Sequence, residues 1–104
     1  MSYEIDYKVN MQILKTARFL DELEVVLDFI AKDSFFQSML FLDKLDIVVY
    51  SLIEAPYRCR QSTKSSDVNV RDLVFKGYVI PYRVNREKNQ IEIIGMFSEN
   101  EWEM

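Results

Sequence analysis

From Tyr3 to Leu14 apolar and polar residues alternate, with Ile5, Tyr7, Val9, Met11 and Ile13 on one side and Glu4, Asp6, Lys8, Asn10 and Gln12 on the other. A two-residue period is that of a half-buried strand. The period then lengthens. Phe19, Leu20, Leu23, Val26, Leu27 and Ile30 recur at helical spacing, Asp21, Glu22, Glu24 and Asp28 fall elsewhere, and Thr16 can cap the segment, which predicts an amphipathic helix ending near Lys32. Asp33 or Ser34 opens a second helix with a heptad-like seam of Leu42, Leu45, Val49 and Leu52, and Pro56 ends it after Ala55. So short a connection makes the two helices an antiparallel hairpin.

The second helix holds more apolar residues than one seam can use. Phe35, Phe36, Met39, Leu40, Phe41, Ile47, Val48 and Ile53 widen its stripe well beyond ~100°. Part of this surface must cover a sheet, and the surplus at Phe35, Phe36, Met39, Ile47 and Val48 can meet a partner, pair with a second copy, or pack within the monomer. Tyr57 to Asn69 has no period and reads as a mobile polar loop. Three strands follow at Val68 to Phe75, Tyr78 to Asn85 and Gln90 to Phe97, with turns at Lys76-Gly77 and Arg86 to Asn89, giving an antiparallel meander. Pro81 has no amide hydrogen, so its position in the second of these strands must face an edge, a bulge or a gap in pairing. The expected architecture is α+β: a strand, a helical hairpin over one sheet face, and the meander. The chain has no internal repeat.

Composition narrows the chemistry. The 104 residues include no histidine, one cysteine, two glycines and two prolines, consistent with one compact domain spanning 1–104. Without histidine, Ser-His-Asp and Cys-His nucleophile systems and histidine-containing zinc sites are excluded. Cys59 alone forms no intrachain disulfide and suits a reducing compartment, and its thiol beside Arg58 and Arg60 reads as incidental. No metal or other cofactor is expected. The opening residues are acidic where a signal peptide is basic and apolar, and the apolar stretch from Phe35 to Ile53 is broken by Gln37, Asp43, Lys44 and Asp46, so the expectation is a soluble cytoplasmic protein with no membrane partner.

The net charge is -4, but it is unevenly placed. Residues 1–54 carry -5, residues 55–88 carry +5 and residues 89–104 carry -4. An acidic protein can therefore present a local basic surface from Arg58, Arg60, Lys64, Arg71 and Arg83, or the same residues can be scattered over a solvated exterior. Arg71 and Arg83 can alternatively pair with Asp72 or Glu92 across the sheet. Trp102, an aromatic residue among acids, is expected to dock the tail.

The order of elements, with Leu23-x-x-Val26-Leu27-Asp-Phe-Ile30-Ala31, Phe41-Leu-Asp-Lys-Leu45, Val70-Arg71-Asp-Leu73, Gly77-Tyr78-Val-Ile-Pro-Tyr82-Arg83-Val84 and Ile91-Glu-Ile-Ile94, resembles the RelE/ParE toxin superfamily over nearly the whole chain. The resemblance implies the toxin half of a bacterial type II toxin–antitoxin module, neutralised by a cognate antitoxin whose C-terminal segment folds on the toxin. Members include ribosome-dependent messenger RNA endoribonucleases, gyrase inhibitors and proteins without known activity. Arg71 matches the family's strand arginine. Val79 stands where the nucleases commonly carry an arginine, Ser98 where many have a histidine, and Glu99, Asn100 and Glu101 replace a basic or neutral end. Tyr78 or Tyr82 would be the remaining proton donors. The Tyr-Val-Ile-Pro-Tyr-Arg-Val pattern is closer to ParE-like members, which implies a gyrase-type target and no catalytic residue. The alternatives are a metal-independent RelE-type endoribonuclease acting on the ribosome and its messenger, and an inactive or repurposed member that only binds partners.

Overall fold

The computed structural model describes residues 11–102, the side chains of the last two excepted. Within this range the chain runs β1 (Gln12–Lys15), α1 (Ala17–Ala31), α2 (Phe35–Tyr50), β2 (Arg60–Gln61), β3 (Val70–Phe75), β4 (Tyr78–Asn85), β5 (Gln90–Ile93), β6 (Phe97–Ser98) and α3 (Glu99–Trp102), with a 3-10 turn over Ser51–Ile53. The α+β expectation therefore holds. The Tyr3 to Asn10 part of the expected first strand lies outside the described residues, and β1 itself runs one residue past Leu14.

Both helix starts follow from their caps. Thr16 Oγ1 accepts the Phe19 amide at 3.1 Å and donates to the Ile93 carbonyl at 2.8 Å, so one hydroxyl caps α1 and ties it to β5. Ser34, rather than Asp33, caps α2 by accepting the Gln37 amide at 3.1 Å. Ser38 is buried between the helices and donates to the Leu27 carbonyl at 2.9 Å, the small polar residue that lets them approach. The α-helix stops at Tyr50, before Ala55, because the chain tightens into the 3-10 turn ahead of Pro56.

The sheet has the order β1-β5-β4-β3-β2, with β6 also pairing β4. The expected meander is its centre, joined by the Lys76-Gly77 hairpin, where both turn residues have positive φ (49° and 85°) as a tight two-residue turn demands. Three features go beyond the expectation. β1 joins β5 in parallel, Gln12 opposite Gln90 through Lys15 opposite Ile93. β3 begins at Val70, not Val68, because the Asp67 carboxylate turns the chain by accepting the Asn69 amide at 2.9 Å. The last expected strand breaks in two: β5 ends at Ile93, the Ile94 amide donates to the Pro81 carbonyl at 2.8 Å, and β6 pairs β4 beyond that point, Val79 opposite Phe97. Pro81 thus occupies the gap between two partners of β4, where its missing amide is not required. At the bend Gly95 leaves room for the Glu22 carboxylate, which would come within 2.7 Å of a Cβ there, and that carboxylate accepts the Met96 amide at 2.7 Å.

The core lies between the hairpin and one sheet face. Phe19, Leu23, Val26, Phe41, Leu45, Val49 and Leu52 from the helices meet Leu73, Ile80, Tyr82, Val84, Ile91 and Ile93 from the sheet. Phe41 packs edge-on against Phe75 at 5.3 Å between ring centres. No helix among the described residues is long and apolar enough to cross a membrane.

Candidate functional site

Side chains at paired positions share a face of the sheet. Arg71 stands opposite Tyr82, on the helix-covered face, whereas Arg83 stands opposite Val70 and Glu92, and Arg60 opposite Asp72, on the other. Arg71 thus projects from the face opposite to that of Arg60 and Arg83.

Most of the expected basic residues are occupied within the fold. Arg58 reaches back to the end of α2, donating to Ser51 Oγ at 2.6 Å and to the Val48 carbonyl at 3.4 Å, where the helix dipole favours a cation. Arg71 donates from Nε to the Val68 carbonyl at 3.0 Å and from Nη1 to the Cys59 carbonyl at 3.1 Å, clasping both ends of the polar loop, and lies 5.0 Å from the Tyr57 ring centre. Arg83 bridges Asp67 at 3.4 Å and Glu92 at 3.3 Å, so cross-strand pairing with Glu92 is what this residue does, while Arg71 does not pair with Asp72. The hydrogen bonds to Glu92 and Asp67 raise the Arg83 pKa, and Asp67 is held below the usual carboxylate range, chiefly by the Asn69 amide. Arg60 and Lys64 have exposed side chains, and Lys64 too has an interaction partner.

The segment expected to be a mobile loop is tied down instead. It contains β2, Ser62 donates its amide to the Val70 carbonyl at 2.8 Å, and the Tyr57 hydroxyl donates to Asn69 Oδ1 at 2.6 Å. Arg86, which the sequence did not single out, lies against the same Tyr57 ring at 5.1 Å. Its place in a polar hairpin turn, between Asn85 and Glu87, gave no signal of that contact. Because the Arg71 guanidinium adds two hydrogen bonds to the backbone pairing that holds this loop, Arg71→Ala should lower stability by about 1.5–3 kcal/mol, the range for hydrogen bonds from a charged group. A thermal melt, together with faster protease nicking within residues 57–69, checks this.

Asp72 is the second residue the sequence did not reveal. It is only 2% exposed, under the loop at Ser62, and no hydrogen bond of good geometry reaches either carboxylate oxygen, the Ser62 hydroxyl being the neighbour that interacts with it most. Burial pushes its pKa up, against weaker opposing influences from Ser62 and Arg60. The strand tyrosines are structural. Tyr82 is fully buried, donates to the Pro56 carbonyl at 2.7 Å, and is held far from ionisation by burial and by Cys59. Tyr78 is half-buried and meets Phe41 edge-on at 6.0 Å. Val79 is fully buried and Ser98 lies opposite Tyr78 on β6. Among the described residues no three His, Cys, Asp or Glu side chains are grouped to hold a metal.

The five apolar residues expected at a partner surface divide three ways. Phe35 and Met39 line an open groove of about 460 Å³ between α1 and α2, with Leu20, Leu23, Leu27 and Ala31 across from them and Asp21, Glu24 and Asp28 beside these. Phe36 and Ile47 are 69% and 71% exposed and point away from the core, about 180° around the helix from Leu45. Val48 is half-buried against the core, which removes it from the exposed surface.

Residues 13–100 match the family described as the ParE toxin of type II toxin–antitoxin systems, parDE. No curated protein sequence matches the chain. The fold is similar to a chain of the chromosomal ParDE system from P. aeruginosa, at TM-score 0.68 and 16% identity, covering 86% of this chain and 96% of that one. It is also similar to a chain of the toxin–antitoxin complex RelBE2 from Mycobacterium tuberculosis, at TM-score 0.60 and 13% identity over 88% and 93% of the two chains.

Proposed function

Because the chain belongs to the ParE toxin family of type II toxin–antitoxin systems, we propose that it arrests growth by binding DNA gyrase and is held inactive by a cognate antitoxin seated on the helical hairpin. The observation that carries this reading is the condition of the positions a nuclease would use. Cleavage of RNA by its own 2′-OH needs fixed positive charge at the phosphate and a proton donor whose pKa suits neutral pH. Here Val79 is an interior side chain, the Tyr82 hydroxyl is committed to a backbone carbonyl, and Arg83 lies between two carboxylates. Binding a protein target requires none of these groups to be free.

Arg60, Lys64 and Arg86 are exposed cations on or beside the clasped loop and the β4–β5 turn, and they are the target contacts this reading favours. Arg71 and Arg83 hold the loop that carries two of them, through the Val68 and Cys59 carbonyls and through Asp67. Purified protein added to gyrase and relaxed plasmid should suppress supercoiling, and added to a translation reaction it should leave messenger intact. Cleaved messenger with normal supercoiling would replace this reading with that of a ribosome-dependent endoribonuclease. Loss of neither activity would leave a protein that only binds its partners.

A further inference from the structure

The α1 side of the hairpin groove carries Asp21, Glu24 and Asp28, spaced i, i+3 and i+7 so that they form one stripe along the rim beside Leu20 and Leu27. None of the three makes an ion pair among the described residues; the nearby Arg18 is turned to Glu22 at 3.4 Å. No lysine or arginine lines the groove. Its far wall is the apolar pair Phe35 and Met39.

We propose that the occupant of this groove is a helix whose apolar stripe is flanked on one side by lysine or arginine, so that the antitoxin supplies the positive charge and the toxin the negative. The inference rests on the toxin–antitoxin reading for the identity of the partner, and on the groove alone for its chemistry. A helix laid in a groove anchors through residues at i, i+3, i+4 and i+7. Seating one here buries Phe35, Met39 and Leu20 and brings its flank against three like charges. Those carboxylates lose water as the groove fills, and unless a cation replaces it their desolvation opposes binding. Other occupants fit less well. Residues 1–10 carry two acids and one lysine, and a second copy docking groove to groove would place two acidic stripes face to face.

Two designed peptides of about 20 residues, sharing one leucine stripe and differing only in a lysine or glutamate flank, test the rule. Titrated against the intact protein by fluorescence anisotropy at low salt, the lysine peptide should bind about tenfold tighter, an advantage that shrinks as salt is raised. Met39→Asp should weaken both peptides. In Asp21→Lys/Glu24→Lys/Asp28→Lys the order should invert, and in the milder Asp21→Asn/Glu24→Gln/Asp28→Asn the preference should vanish. Equal affinity of the two peptides, binding of neither, or a preference that survives the neutral variant overturns the proposal. Growth inhibition by the induced chain, and its relief by the product of the adjacent reading frame, tests the toxin reading separately. If that product relieves the wild-type and charge-reversed chains equally, the groove proposal fails and the toxin reading stands. If the chain inhibits nothing, the toxin reading fails while the peptide order still decides the groove's charge preference. A dimer seen by sedimentation that the charge reversal disperses would give the groove to a second copy and overturn the proposal.

Discussion

Leu45→Ala should destabilise the domain by about 2–5 kcal/mol, the cost of removing a buried leucine together with the cavity it leaves. Leu45 is completely buried at the centre of the α2 seam, with Phe41, Val49 and Leu52 along the same helix face and the sheet beneath. Close packing around it leaves little room for collapse into the space. In a domain of this size the melting temperature should fall by about 10–30 °C. Phe36→Ala is the informative contrast: a larger side chain on the same helix, facing solvent, whose loss should change stability by no more than about 0.5 kcal/mol. Comparable losses in the two variants would mean that α2 does not present the face described.

Asp72→Asn should act in the opposite direction, raising stability at neutral pH by about 1–3 kcal/mol, because a neutral amide of the same shape replaces a carboxylate whose charge is disfavoured by burial. The sign follows from the direction of the shift. Burial raises the folded-state pKa of Asp72 above its unfolded value, so folding favours the protonated carboxyl. Its contribution is present below the unfolded value and is lost as pH rises through the raised folded one. Asp67, whose pKa is lowered, behaves inversely: its contribution is present above the unfolded value and is lost as pH falls through the folded one. Melting curves of wild type and Asp72→Asn should therefore diverge at neutral pH and converge in acid. A variant less stable than wild type at neutral pH would show that the Asp72 carboxylate is satisfied, most directly by Arg60 opposite it on β2.

These two residues also mark what could be read from the sequence. Leu45 was legible because its spacing from Val49 and Leu52 is set by helix geometry alone, and Thr16, Ser34 and Pro81 were legible because each obeys a local rule about backbone donors. Asp72 was not, because a carboxylate in a strand is buried only when a distant segment folds over it, here the loop near Ser62. Arg71 and Arg83 were read as members of one surface by their charge, whereas their positions, twelve residues apart on neighbouring strands, fall opposite partners on different faces once the Lys76-Gly77 turn sets the register. The parity of Arg71 with Leu73 and Phe75 carried that information within its own strand. The break at Gly95 depended on Glu22 arriving from α1, and the parallel β1–β5 pair on two segments nearly eighty residues apart, contacts that no periodicity encodes. Of the surplus apolar residues, Val48 was counted with a candidate partner surface because the helix stripe is wide, and of the outcomes left open for it, packing within the monomer is the one the structure shows.

The pairing of β1 with β5 also bears on when the protein can act. Among the described residues β1 has its only sheet neighbour at Gln90–Ile93, and the hydroxyl of Thr16, the cap of α1, is anchored by its donation to the Ile93 carbonyl. During synthesis α1 and α2 can form as they emerge, but the edge of the sheet beneath them stays open until β5 has been made. The β3–β4 hairpin can cover part of the helices' apolar underside before then, but the β1–β5 edge closes only when the last quarter of the described chain is in place.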